Sequence, residues 1–169
     1  MAREEDAIDR ILEQWRRERP DLDLAALGTV GRLFRVTQLA DGLLAEGLAA
    51  RGLRPGWFDL LAALRRSGVP YRLNPAELIR TTMLSSGGMT KRLDRLEEAG
   101  LVERSPDPAD RRGTLVGLTP EGKEAIDASL PMHAANEERL LASLSAAQRR
   151  TLDDLLRAVL TELDPPSSS

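Results

Sequence analysis

Leu84-Ser85-Ser86-Gly87-Gly88-Met89-Thr90-Lys91-Arg92-Leu93-Asp94-Arg95-Leu96, residues 84–96, is the stretch on which the reading of the fold turns. At roughly 100° per residue, Met89, Leu93 and Leu96 fall on one line of a helix and are expected to face a core. Gly87 and Lys91 point the opposite way, flanked by Thr90 and Arg95. The outward side near the helix start is thus small, polar and cationic. Ser85 and Ser86 are hydroxyl residues of the type that opens a helix, and Gly100 is a plausible stop after Ala99.

Just upstream, Asn74-Pro75-Ala76-Glu77 is a strong start signal: a capping side chain, a proline suited to the first helical position and a glutamate that completes a capping box. It opens a short helix over 75–81. Two helices joined by so short a turn have helix-turn-helix spacing. In such a unit the second helix enters the major groove, and its first residues reach the base edges.

Downstream, Leu101-Val102-Glu103-Arg104 and Thr114-Leu115-Val116-Gly117-Leu118 read as two strands. The polar loop between them makes a β-hairpin. Asp110, Arg111 and Arg112 lie at its tip, where an arginine can insert into a minor groove. Further out, helical patterns are expected over 6–17, 24–49 and 55–66. Thr119-Pro120-Glu121 opens another helix, with a bend expected at Pro131, and Ser145-Ala146-Ala147-Gln148 opens the last. The order is winged helix-turn-helix order. The expected fold is mainly α with a small β-hairpin wing, the winged unit spanning 53–118 between N-terminal helices (1–52) and C-terminal helices (119–164). Residues 165–169 read as a frayed tail.

The bulk numbers narrow the function. Hydrophobic residues make up 41% of the 169 and charged residues 30%, enough for a packed core in a soluble chain. There is no Cys, and His133 is the sole His, so thiol chemistry and a Cys- or His-rich metal site are excluded. No cofactor is implied: no Gly-rich phosphate loop followed by Lys is present. Glu97 and Glu98 read as solvated residues of a polar helix face, so an enzyme is not the expectation. No apolar run approaches the roughly 20 residues that span a bilayer, and the acidic start is unlike a secretion signal; both point to a cytoplasmic address. The net charge of −3 is unfavourable for long-range attraction to nucleic acid. Together with the two glycines of the recognition segment, it leaves open a helical protein–protein interaction module without DNA binding.

Taken in order, Leu84 to Thr90, Arg92 to Glu97, Gly100 to Arg104, Asp110-Arg111-Arg112 and Leu118 to Gly122 resemble the signature of MarR-family regulators. The resemblance runs continuously for about forty residues, and the helical frame fits over nearly the whole chain. It implies a homodimer joined through the first and last helices, acting on a pseudo-palindromic duplex. Agreeing with this, segments 24–49 and 145–163 carry more apolar surface than the small winged unit needs. The DNA-contacting residues implied are Ser85, Ser86, Gly87, Thr90, Lys91, Arg95, Asp110, Arg111 and Arg112. Lys91 stands where many relatives carry an uncharged polar residue, so an operator cannot be borrowed from them.

The extra N-terminal helix is similar to that of the urate-responsive, PecS-like branch. That resemblance implies a ligand set of Trp15, Asp59, Arg92 and Arg104, and a repressor released by urate or a similar small anion. A flat anionic heterocycle wants a stacking surface and guanidinium donors. Arg92, roughly 60° from the buried line of its helix, is expected to face inward, toward Asp59 or a ligand. An anion competing for it would disturb that pairing and tilt the recognition helix. From the residues alone, Trp15 as a packing anchor, Asp59–Arg92 as a plain ion pair and Arg104 as a phosphate contact remain open.

Overall fold

A computed structural model describes residues 5–82, 87–110 and 113–164. Two compact units are formed, Met1–Glu46 and Gly47–Ser169.

In the first unit, α1 (Ala7–Glu18) opens on a capping box in which Asp6 accepts from the Asp9 amide and Asp9 accepts from the Asp6 amide. It lies on the first part of α2 (Ala25–Ala49). Gly28 and Gly31 explain how. A Cβ at Gly28 would sit 3.0 Å from Leu12, and one at Gly31 would sit 3.3 Å from Ile8. These glycines lower the helicity of α2, but they make the trough that receives α1. Arg32 closes the contact, donating to Asp6 at 2.8 Å and to Asp9 at 2.5 Å.

The second unit contains α3 (Pro55–Arg66), β1 (Arg72–Leu73), α4 (Pro75–Thr81), α5 (Met89–Glu98), β2 (Val102–Pro106), β3 (Thr114–Leu118), α6 (Pro120–Leu140) and α7 (Ala146–Leu163). Its core is aliphatic: Leu60, Leu61, Leu64, Leu78, Leu96, Val116 and Ile126 have no accessible surface. Met89 and Leu93 join them, so the predicted inward line of the recognition helix is the observed one. The expected start signals are present: Asn74 with Glu77, Thr119 on the Gly122 amide, and Ser145 with Gln148. Gly122 lets α6 approach the wing closely, since a Cβ there would lie 1.8 Å from the Leu101 carbonyl oxygen.

Two features depart from the sequence reading. The sheet has three strands, ordered β1-β3-β2, because Arg72 and Leu73 pair with Gly117 and Val116. A two-residue strand carries no periodicity to read. The recognition helix starts at Met89, not at the serines, because Gly88 is left-handed (φ 80°) and cannot belong to an α-helix. Helix α6 runs from Pro120 to Leu140 with Pro131 inside it. No helix among the described residues is long and apolar enough to cross a membrane.

Candidate nucleic-acid interface

The recognition helix is held from two sides. Its apolar line is buried against the core. On the wing side, Asp94 and Glu97 lie one helical turn apart and both grip Arg104 of β2, Asp94 at 2.6 Å. The Arg104 amide also donates to Glu97 at 3.2 Å. This strut fixes the wing strand to the reading helix. The guanidinium is thereby held between two carboxylates, and an anion binding there would compete with them. Glu97 is therefore a partner of Arg104 and not merely solvated. The signal that could have revealed it is two carboxylates three residues apart, followed closely by a strand arginine.

The remaining surface of α5 is the cationic one. Gly87 is exposed in the turn, and Thr90, Lys91 and Arg95 are exposed on the helix. None of these three makes an ion pair among the described residues. The wing tip is closed by hydrogen bonds from the Gly113 amide to the Asp110 carbonyl (2.8 Å) and from the Asp107 amide to the Gly113 carbonyl (3.0 Å). Ser85, Ser86, Arg111 and Arg112, also expected at the DNA, lie outside the described residues, as do residues 165–169.

Of the predicted ligand set, Trp15 belongs to the first unit, on α1, and is 46% exposed. Asp59, Arg92 and Arg104 belong to the second. The expected Asp59–Arg92 ion pair is not formed. Arg92 instead lies across Gly56, where a Cβ would be 3.1 Å from its Nε, and donates to the Gly87 carbonyl at 3.0 Å. The late start of α5 leaves that carbonyl available, and the missing side chain at Gly56 leaves the room. Asp59 is half-buried. Burial pushes its carboxyl above the usual aspartate value, against the opposing pull of the His133, Arg66 and Arg92 charges. Beside it, His133 stacks on Phe58 with ring centroids 4.2 Å apart. Among the described residues no group of three or more His, Asp or Glu is placed to hold a metal ion.

A helix-turn-helix with a hairpin tied to its second helix, and cations on the free side of that helix, defines the winged helix-turn-helix class. A sequence profile of the MarR family matches residues 51–113. The transcriptional regulator PecS of Dickeya dadantii is 39% identical over 152 residues, covering 90% of this chain and 92% of that protein. The multiple antibiotic resistance protein MarR of Escherichia coli is 34% identical over 133 residues, covering 78% and 90%. Among solved structures, a mutant of E. coli MarR complexed with operator DNA superposes with a TM-score of 0.72 at 32% identity, covering 81% of this chain and 97% of that one. BpsR of Bordetella bronchiseptica, whose DNA binding is regulated by 6-hydroxynicotinic acid, gives 0.70 at 27% identity, covering 77% and 91%. The chain belongs to the MarR family of transcriptional regulators.

Proposed function

We propose that this protein is a sequence-specific DNA-binding repressor that works as a homodimer and leaves its operator when a small aromatic anion binds. The observation that carries the DNA reading is the exposed Thr90-Lys91-Arg95 surface on a helix whose opposite side is locked into the core. A rigid helix presenting polar and cationic groups at its start suits major-groove contact, with lysine and arginine also meeting phosphates. Gly87 and the wing residues Asp110, Arg111 and Arg112 extend the same contact, as do Ser85 and Ser86. The operator-bound E. coli MarR structure supports this use of the fold.

Dimerisation is supported by α7. Leu155, Leu156, Val159, Leu160 and Leu163 are all exposed, and the helix has no buried residue. In the first unit, Phe34, Val36 and Leu39 are likewise exposed on α2. An apolar stripe of this extent on a soluble chain marks an interface, and a second copy covers it symmetrically.

The ligand reading is supported by Arg92. Its guanidinium is held by one carbonyl hydrogen bond and makes no ion pair with a carboxylate among the described residues. It is therefore available to an anion, with Asp59 beneath as the charge such an anion would disturb. That the DNA binding of BpsR is regulated by 6-hydroxynicotinic acid supports a flat anionic heterocycle as the effector; urate has the same character.

The test is selection of duplexes by the purified protein, followed by a salt titration on the preferred sequence. Binding that weakens steeply with salt and exceeds that to random duplex is expected. Salt-independent binding, or no preference, rejects the reading. Urate or 6-hydroxynicotinate is expected to release the DNA, and Arg92→Ala to blunt the release. No effect of either anion removes the ligand and leaves the DNA reading in place.

A further inference from the structure

One feature of the second unit was not anticipated from sequence: an open cavity of about 290 Å³ between the start of α3 and the free side of α5. Arg54, Lys91, Arg92 and Arg95 line it, with no carboxylate among its walls. Arg32, Arg65, Arg72 and Arg104 each pair with a carboxylate, whereas Arg54, Lys91, Arg92 and Arg95 make no ion pair among the described residues. The remaining walls are Gly56, Trp57 and Gly88.

We infer that this trough seats a phosphate of the DNA backbone, and that Arg54 is a DNA-contacting residue in addition to those of the recognition helix. The inference rests on the DNA-binding reading above. Lys91 and Arg95 belong both to the trough and to the proposed reading face, so a duplex engaging α5 brings its backbone to the trough's mouth. Arg54 stands on the opposite wall. Its guanidinium carbon lies 5.5 Å from the centre of the Trp57 ring, which holds it in place before binding. It precedes Pro55 and makes no capping hydrogen bond with its side chain.

Charge and shape favour a phosphodiester as the occupant in the DNA-bound state, and an effector anion taking Arg92 would compete with it there. Four cations exceed what one small carboxylate neutralises, whereas duplex DNA offers a phosphate about every 3.4 Å along each strand. Small-molecule sites usually enclose most of their ligand, and this trough is open along one side.

A phosphate contact has a signature that a base contact lacks. Arg54→Ala removes one contact from each half of the dimer and should weaken binding to the preferred duplex and to random duplex alike, by roughly a hundredfold at low salt. The slope of log affinity against log salt should become shallower by about 1.8. Arg54→Lys should keep the slope. Fluorescence anisotropy with labelled duplexes reads all of these quantities, and thermal melts of both variants should match the parent protein. Unchanged affinity and slope in Arg54→Ala, while the parent protein binds with normal salt dependence, overturns the inference alone. Loss confined to the preferred sequence also overturns it, because Arg54 would then be reading bases. A parent protein that binds no duplex overturns the inference and the reading beneath it together.

Discussion

The winged core and the last helix are built from the same residue, leucine, and put it to opposite uses. Leu60, Leu61 and Leu64 of α3 are sealed by α5, α6 and the sheet of their own chain. Leu155, Leu156 and Leu160 of α7 are sealed by nothing in the single chain. The hydrophobic pattern of a helix thus tells that a face must be buried, and not by which chain. In the proposed homodimer this difference separates two kinds of stability, one independent of protein concentration and one dependent on partner occupancy.

The sharpest way to break that comparison is to truncate one leucine of each kind. Leu61→Ala should cost about 3 kcal/mol, the usual range for a fully buried leucine, at any protein concentration. Chemical denaturation at two concentrations tenfold apart checks this. A cost that shrinks on dilution would show that the core is not self-contained.

The matching change on α7 replaces Leu156 and Leu160 together by Asp. Four apolar side chains, two from each copy, at about 1.5 kcal/mol each correspond to roughly ten-thousandfold weaker self-association. Sedimentation equilibrium is expected to show monomers where the parent protein is dimeric, with far-UV circular dichroism of the monomer intact in the winged unit. A parent protein that is itself monomeric would leave the α7 stripe unexplained and remove the two-fold scaffold from the proposed function.

How far such differences are legible in sequence depends on the range of the interaction. The inward line Met89-Leu93-Leu96 and the boxes at Asn74 and Ser145 were readable because each is set by neighbours within one turn. The start of α5 was not, because Ser85 and Ser86 carry a generic capping signal and the backbone turn at Gly88 decides against it. The Asp94–Glu97–Arg104 strut and the Arg32 clasp were missed for another reason. Charged side chains on a polar face look solvated until the fold brings a partner from elsewhere in the chain. Arg54 has no sequence signal at all: one arginine before a proline acquires meaning only from the walls it faces. The third strand escaped because β1 is two residues long and exists only through its pairing with β3.

The strut is smaller in energy than either leucine set. Arg104→Ala removes two partly exposed ion pairs and should cost about 1 kcal/mol of stability, near the upper end for such pairs. Its larger expected effect is on DNA binding, through a wing no longer tied to α5. Arg104→Ala should therefore lose affinity for the preferred duplex out of proportion to its small shift in melting temperature. Equal and minor changes in both would make Arg104 a surface residue without a positioning use.

The weakest of the expected effects lies in the first unit, and there pH isolates it. The Arg32 guanidinium, with help from backbone amides, holds the Asp6 carboxyl at about 2, below its ordinary 3.8. Asp9 is lowered as well, by the Asp6 amide first and by Arg32 next. A depressed carboxylate favours the folded clasp above the ordinary value, and that contribution is lost as pH falls through the folded value. Between about pH 4 and pH 2 the tie between α1 and α2 should therefore loosen, leaving only Leu12 and Ile8 in the Gly28–Gly31 trough. Trp15 stands on α1, so in a Trp57→Phe background its emission follows the release of that helix. Arg32→Gln should move the transition up toward the ordinary aspartate range. A transition that stays in place in Arg32→Gln would mean that apolar contact with the trough, not the charge clasp, holds α1. The first unit would then differ from the second only in who covers its leucines.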